Sequence, residues 1–224
     1  MRAMRALIDN PDDTALVFQI IRALTGESYE RLYQRTLRDP QAARILDEKR
    51  DILDVLKARE HLRGLPDGTL GREYARFLDR EGIDAEGLVE ASSIIEPNLF
   101  LDRRAEVLSN RLRDTHDLWH IVTGYDRDIF GEVALLAFTF AQTRNYGVGF
   151  VVLAAMTKLW MEGHRDGVRL VWRAWRRGRR AGSFVGADWE GLLQLPLSDV
   201  RRCLSITEVP VYSPFFSEAA VATR

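Results

Sequence analysis

Apolar positions recur every three or four residues along most of the chain, and the turn-forming residues fall between these segments. This spacing is helical rather than alternating, because an α-helix returns to the same face every 3.6 residues. The pattern predicts an all-α fold. We expect a single helical-bundle domain over residues 1–224.

Residues that favour helix ends delimit the predicted helices. The first follows Asp12 and Asp13 through TALVFQIIRALTG and stops at Gly26. Further helices are predicted over residues 28–38, 40–59 with a break, 70–80 and 84–91. The stretch GLPDGTLG is a turn-rich connector, because Pro and Gly supply the dihedrals of tight turns.

A longer helix is predicted over residues 99–122. On a helical wheel its apolar residues define one buried stripe, made of Leu101, Ala105, Leu108, Leu112 and Trp119. His116, Asp117 and His120 fall on one shoulder of this stripe. A shoulder position can be held rigidly by packing and still face a cavity.

Two histidines one helical turn apart can direct both imidazoles at the same metal ion, and Asp117 lies in the same arc as His116 and His120. After the turn TGYDRD, a new helix is expected near Asp128. Glu132 is the only charged residue in the fifteen that follow Asp128. Such a carboxylate is costly to bury unless it meets a cation or a donor, and an antiparallel return would bring it back to the histidines.

Each of these residues also has an explanation that needs no metal. A helical histidine is usually a surface residue or a satisfied core residue. Arg113, four residues before Asp117, would form an i,i+4 ion pair with it. Glu132 in the first turn of its helix would complement the helix dipole.

The segment HDLWH, followed after eleven residues by Glu, resembles the HDxxH(x11)E signature of the ubiquinone (coenzyme Q) biosynthesis protein 4 family. The surrounding stretch NRLRDTHDLWHIVTGYDRDIFGEVALLAFTFAQT is similar to that family beyond the signature. So are LRGLPDGTLGREYARFL and DWEGLLQLPLSDVRRCLSI. The resemblance covers about residues 14–207. The chain departs from the family pattern at Asp114, where glutamine is commoner, and at NYGVG, which replaces a proline-containing stretch.

The resemblance implies that His116, Asp117, His120 and Glu132 bind a divalent metal. Zinc is expected, with iron, manganese or magnesium as alternatives. Cys203 is the only cysteine, so the ligands must be nitrogen and oxygen. The implied function is metal-dependent removal of the C1 carboxylate of a polyprenylated hydroxybenzoate, with hydroxylation at that carbon. Arg113 lies near the same shoulder and is a candidate for holding a substrate anion.

Two other functions remain open. The chain would be a non-catalytic scaffold that binds a prenyl lipid and organises other quinone-biosynthesis proteins, or a metal-dependent hydrolase. Against a protease-like site, Asp117 is one methylene shorter than the usual glutamate base. Against a histidine-aspartate phosphohydrolase, no further distant His and Asp ligands stand out.

Three segments bear on lipid binding. EVALLAFTFAQ and GVGFVVLAAMTKLW are apolar nearly all the way round, which predicts buried core helices that could also line a tunnel for a polyprenyl chain. HRDGVRLVWRAWRRGRRAG carries seven arginines, one acid, Trp172 and Trp175. That composition suits the headgroup region of an anionic membrane, or a solvated helix whose tryptophans reach the core.

Composition and charge limit the classes of protein to which the chain can belong. The chain is 46% hydrophobic and 29% charged, with a net charge of −1, so no whole-protein field attracts nucleic acid. The start, MRAMRALIDNPDDTALVF, has no continuous apolar region, and we expect no signal or transit peptide. We expect a cytoplasmic protein, peripherally associated with the inner membrane, that forms a homo-oligomer.

Overall fold

The computed structural model describes residues 27–82 and 102–216, and every regular element in these ranges is a helix. The all-α prediction is confirmed for these residues. One antiparallel bridge joins Thr69 to Pro196. The helices predicted over residues 14–26 and 84–91 lie outside the described ranges. No described helix has the length and apolar character needed to cross a membrane.

In chain order the described helices are α1 (residues 27–36), α2 (Pro40–Asp47), α3 (Ile52–Lys57), α4 (Arg59–Gly64), α5 (Leu70–Glu81), α6 (Arg103–Asp114), α7 (His116–Thr123), α8 (Ile129–Thr143), α9 (Tyr146–Met161), α10 (Arg165–Arg180), α11 (Trp189–Leu192) and α12 (Leu197–Cys203).

The starts of several helices follow from their capping residues. Asp39 accepts hydrogen bonds from the backbone N–H groups of Gln41 and Ala42, and Pro40 supplies the helical φ angle at the first position. Thr69 caps α5 in the same way. The region predicted as one broken helix over residues 40–59 forms α2, α3 and the start of α4. Asp39 caps α2 and Asp51 caps α3, whereas α4 starts after Ala58 without a side-chain cap.

Contacts within the described chain separate two compact units. The first contains residues 27–34, 127–180 and 212–216. The second contains residues 35–82, 102–126 and 181–211. The prediction of one domain over residues 1–224 stays a prediction.

In the first unit, α8 and α10 pack closely along their lengths. Gly167 on α10 faces the ring of Phe130, and Gly178 faces the backbone of Phe138. The α8 residues Ala134, Leu135, Ala137 and Phe138 have no exposed surface, so the prediction that α8 is a core helix is confirmed.

Replacing Gly178 by alanine is expected to lower the free energy of unfolding by about 1–3 kcal/mol, because the new methyl group overpacks the interface. A Cβ there would lie 2.7 Å from the carbonyl oxygen of Phe138 and 2.9 Å from Cβ of Ala141. Neither atom belongs to a flexible side chain. Urea denaturation measures the change.

Gly64→Ala is the matched control, because a Cβ at Gly64 meets nothing within 4 Å. We expect its effect to stay within about 0.5 kcal/mol. Equal stability of the two variants would contradict the close packing of α8 on α10.

The prediction that α9 is a buried core helix is wrong. Only Gly147, Val152 and Leu159 are buried in this sixteen-residue helix. Leu153 is 63% exposed and Trp160 is 60% exposed. A helix that is apolar all round does not encode which face is covered, and the described chain covers only one side of α9.

In the second unit, α7 lies against α5, α6 and α12. The indole of Trp119 meets Phe184 edge to face at 5.2 Å between ring centroids, and Phe184 contacts Trp189 at 5.6 Å. Arg201 on α12 donates hydrogen bonds to the carbonyl oxygens of Ile121 and Val122, at 2.9 and 3.0 Å. The last turn of α7 is therefore held by a cation, which suits the negative end of the helix dipole.

Candidate metal centre

The helix predicted over residues 99–122 is divided at Thr115, so that prediction needs a correction. Within the described part, α6 ends at Asp114 and α7 begins at His116. The hydroxyl of Thr115 donates to the carbonyl of Arg111 at 2.7 Å and accepts from the Trp119 indole at 3.2 Å. A side chain that bonds back to the preceding turn bends a helix, and here it does so directly before the histidines.

His120 is 1% exposed, and its ring is fixed by a backbone carbonyl. Its Nδ1 lies 2.8 Å from the carbonyl oxygen of Tyr125. Because a carbonyl only accepts, Nδ1 carries a proton, which leaves Nε2 as the ring nitrogen whose lone pair can bind a metal. A histidine that donates one ring N–H to a carbonyl and offers the other nitrogen is the usual arrangement for a metal ligand.

The backbone at Gly124 makes this hydrogen bond possible. Gly124 has φ +77° and ends α7 in the left-handed region, which turns the chain so that Tyr125 faces His120. A Cβ at Gly124 would also collide with the side chain of Val209. Only glycine fits this position without strain.

His116 and Asp117 lie beside His120 on α7. The two imidazole rings are 4.8 Å apart between centroids and nearly perpendicular, at 79°. The His116 side chain is 39% exposed, and its Nδ1 lies 3.6 Å from Oδ1 of Asp117. That separation is too long for a hydrogen bond.

Arg113, the candidate for holding a substrate anion, binds its neighbour Asp114. Its Nε and Nη2 lie 2.8 and 3.2 Å from the two carboxylate oxygens. The departure from the family pattern at Asp114 therefore supplies a bidentate partner for Arg113. A role in anion binding stays a prediction.

Glu132 belongs to the first unit, in the first turn of α8. Its side chain is 36% exposed, and Oε1 lies 3.7 Å from Nε of Arg127. The premise of a costly buried carboxylate was wrong, because Glu132 is partly hydrated and has a cation nearby. The position also suits the helix dipole, as the interpretation without metal expected.

Sequence reasoning missed two residues of α5 that flank these groups. The ring of Phe77 stacks on His120, at 6.2 Å between centroids and 23° between planes. The phenol of Tyr74 is fully buried, and its oxygen has no hydrogen-bond partner among residues 27–82 and 102–216. Burial raises the pKa of Tyr74 above its usual value, and the negative charge of Asp117 adds to the rise. The i,i+3 spacing in REYARF was the available signal.

Replacing Tyr74 by phenylalanine is expected to raise the free energy of unfolding by about 1 kcal/mol, because it removes a buried hydroxyl that makes no hydrogen bond. Tyr212→Phe is the contrasting variant, since the Tyr212 hydroxyl donates to Asp128 at 2.6 Å. That variant should lose about 1.5–3 kcal/mol, the value of a hydrogen bond to a charged group. Thermal unfolding of both variants measures the difference, and a Tyr74→Phe protein less stable than wild type would contradict the prediction.

The model of the family described as coenzyme Q (ubiquinone) biosynthesis protein Coq4 matches residues 1–210 of this chain. The chain belongs to the Coq4 family. The family resemblance inferred from the sequence is thereby confirmed.

Two relatives in the Coq4 family are named mitochondrial ubiquinone biosynthesis proteins. The one from Clavispora lusitaniae is 29% identical over 205 residues, which is 90% of this chain and 62% of that protein. The one from Neurospora crassa is 34% identical over 182 residues, which is 80% of this chain and 50% of that protein. The chain thus spans between half and two thirds of the length of these relatives.

The Coq4 chain also shares its fold with a protein of known crystal structure from Nostoc punctiforme. The TM-score is 0.68 at 22% identity, and the match covers 92% of this chain and 95% of the other. This likeness concerns the fold alone.

Proposed function

We propose that this Coq4-family chain is a metal-dependent lyase of ubiquinone biosynthesis. Its substrate would be a polyprenylated hydroxybenzoate, which loses the C1 carboxylate as CO2 and gains a hydroxyl group at the same carbon. The family membership supports the pathway. The arrangement of His116, Asp117 and His120 on α7 supports a divalent metal.

The hydrogen bond from His120 to the Tyr125 carbonyl carries the proposal. It places a proton on Nδ1 and leaves Nε2 to bind a metal, and His116 lies one turn away. Asp117 adds an oxygen donor, and Glu132 is the fourth ligand that the HDxxH(x11)E signature assigns. Neutral imidazole with carboxylate suits zinc, and it also accepts iron or manganese, whereas magnesium prefers oxygen ligands.

A divalent ion held by these residues would supply positive charge that stabilises the charge developing on the substrate as CO2 leaves. Replacing the carboxylate by a hydroxyl group is a two-electron oxidation of that carbon. Because zinc is redox-inert, dioxygen would be the oxidant with zinc bound: it would accept both electrons and leave as hydrogen peroxide, while water supplies the hydroxyl oxygen.

The protein groups around the site have separate roles in this proposal. The raised pKa of Tyr74 keeps its phenol protonated well above neutral pH, so it adds no negative charge. Phe77 provides an apolar wall against His120, which excludes water from that side. Arg113 would orient the substrate anion, with Asp114 fixing its guanidinium.

The test measures metal content and CO2 release on the same samples. Native mass spectrometry and elemental analysis are applied to protein purified without added metal, for wild type, His120→Ala and Glu132→Ala. His61→Ala is the matched control, because His61 is an exposed histidine on α4. The activity assay follows labelled CO2 from a carboxyl-labelled prenylated hydroxybenzoate.

We expect about one divalent ion per chain in wild type and His61→Ala, and loss of that ion in His120→Ala and Glu132→Ala. CO2 release should follow metal content. A wild type that binds metal without releasing CO2 would favour the scaffold that organises quinone-biosynthesis proteins. A wild type that stays metal-free after reconstitution would remove the metal from the proposal, and hydrolysis of peptides or phosphoesters would favour the hydrolase.

A further inference from the structure

Helix α9 carries a row of large apolar side chains on its outer face. Tyr146, Leu153 and Trp160 are spaced seven residues apart, so they lie along one side of the helix. They are 55%, 63% and 60% exposed, and the adjacent Met161 is 80% exposed. We call these four residues the α9 stripe.

The α9 stripe is unusual for a surface exposed to water. Single exposed apolar residues are common, but contiguous apolar patches usually mark an interaction site. All four side chains are at least half exposed, and the helix around them has Lys158 and no other charged residue. The stripe therefore fits a partner that offers an apolar surface.

Cations lie at both ends of the α9 stripe. The guanidinium of Arg31 lies 5.3 Å from the ring centroid of Tyr146, and that of Arg165 lies 5.4 Å from Trp160. Helix α10 adds Arg176, 4.8 Å from the half-exposed ring of Trp172. Residues 146–180 contain eight basic and two acidic residues, a net charge of +6 in a chain whose total is −1.

We infer that the α9 stripe is the surface by which this chain docks on an anionic lipid bilayer. Helix α9 would lie in the plane of the interface, with Leu153 reaching the acyl chains. Aromatic rings and arginines suit the headgroup level, where cations meet lipid phosphates. The α9 stripe has the matching arrangement, with apolar residues in its middle and cations at both ends.

A second copy of the chain is a poorer occupant of the same face. A two-fold interface brings identical patches together, so the cations at the ends of the stripe, Arg31 and Arg165, would meet those of the other copy. Like charges facing each other across an interface oppose association. The inference involves none of the proposed metal ligands, and it stands or falls separately from the proposed lyase.

Vesicle flotation of the full chain tests the docking surface. The probes are vesicles of phosphatidylcholine alone and vesicles in which part of the lipid is phosphatidylglycerol. Leu153→Glu places a charge in the middle of the stripe. Val211→Glu is the matched control, because it introduces the same charge at a 99% exposed valine elsewhere.

We expect wild type and Val211→Glu to float with the anionic vesicles and not with the neutral ones. Leu153→Glu should reduce the bound fraction about tenfold or more. The leucine side chain would no longer enter the apolar layer, and the new carboxylate would be repelled by the anionic lipids. The double variant Arg169→Glu, Arg173→Glu should reduce the bound fraction as well, because both residues are exposed on α10. Circular dichroism checks that each variant is folded, and an unchanged metal content separates this result from the metal proposal.

Equal flotation of Leu153→Glu and Val211→Glu would overturn the inference, as would equal binding of wild type to neutral vesicles. Light scattering, which measures the oligomeric state, tests whether a second copy of the chain covers the stripe. A wild-type dimer that Leu153→Glu converts to a monomer, without vesicle binding, would assign the stripe to a second copy instead of lipid.

Discussion

Arg111→Ala is expected to lower the free energy of unfolding by about 3–5 kcal/mol, because it leaves a largely buried carboxylate without its cation. Arg111 is 5% exposed in its side chain, and Glu190 is 17% exposed. Two hydrogen bonds of 2.6 and 2.9 Å join them, and a third runs from Arg111 to the carbonyl of Arg50 at 3.2 Å. Urea denaturation near neutral pH measures the loss.

The pair Arg202 and Asp199 provides the control. It is as short, at 2.6 Å, but the Arg202 side chain is 77% exposed. Arg202→Ala should therefore change stability by less than about 1 kcal/mol, as exposed ion pairs usually do. The double variant Arg111→Met, Glu190→Leu should recover most of the loss, since it leaves no buried charge. A double variant no more stable than Arg111→Ala would show that the unpaired charge is not the cause.

The same pair makes stability depend on pH. Burial opposes ionisation of Glu190, but the hydrogen bond and charge of Arg111 outweigh it, so the pKa of Glu190 lies below its ordinary value of 4.5. The unfolded chain then binds more protons than the folded one in acid. The stabilisation is present above pH 4.5 and is lost as pH falls through the lower folded pKa. The stability difference between wild type and Arg111→Ala should shrink in that range, and a difference constant with pH would contradict the assignment.

Asp128→Ala is expected to cost about 2–4 kcal/mol, because it removes a helix cap and the acceptor of two further hydrogen bonds. The carboxylate of Asp128 is 1% exposed. It accepts from the backbone N–H groups of Phe130 and Phe215, at 3.0 and 2.9 Å, and from the Tyr212 hydroxyl at 2.6 Å. Residues 212–216 are thereby attached to the start of α8.

Asp51→Ala is the matched control for Asp128→Ala. Asp51 caps α3, but its side chain accepts from Leu53 and lies at an exposed position. Loss of this cap should cost about 1 kcal/mol. Hydrogen exchange gives a second readout, since the amide of Phe215 should exchange faster in Asp128→Ala and unchanged in Asp51→Ala. Protection of Phe215 in both variants would contradict the role of Asp128.

The parts of the fold that could be predicted are those encoded by neighbouring residues. Asp39 before Pro40, and Asp128 before an apolar run, mark helix starts because a cap acts within three residues. The start of α8 and the range of α5 follow from such signals. The bend at Thr115 could not be predicted, because it depends on a hydroxyl that serves Arg111 and Trp119 at once.

Long-range contacts explain the other differences. Arg111 and Glu190 are 79 residues apart, and no local pattern pairs them. Helix α9 has no polar face, so its sequence shows no periodicity that would predict which side is buried. The positions of His116 and His120 on one helix face could be predicted, because their i,i+4 spacing is a local pattern. The hydrogen bond between His120 and Tyr125 still depends on the left-handed turn at Gly124, which the sequence showed only as a glycine.

The attachment of residues 212–216 to Asp128 affects the order in which the chain can fold. The first unit is discontinuous, and its last segment is separated from α8 by residues 181–211, which belong to the second unit. During synthesis, the carboxylate of Asp128 can accept these hydrogen bonds only after residues 212–216 have left the ribosome. Contacts of such sequence separation form late and slow folding. We therefore expect the capped start of α8, which carries Glu132, to be completed in one of the last steps of folding.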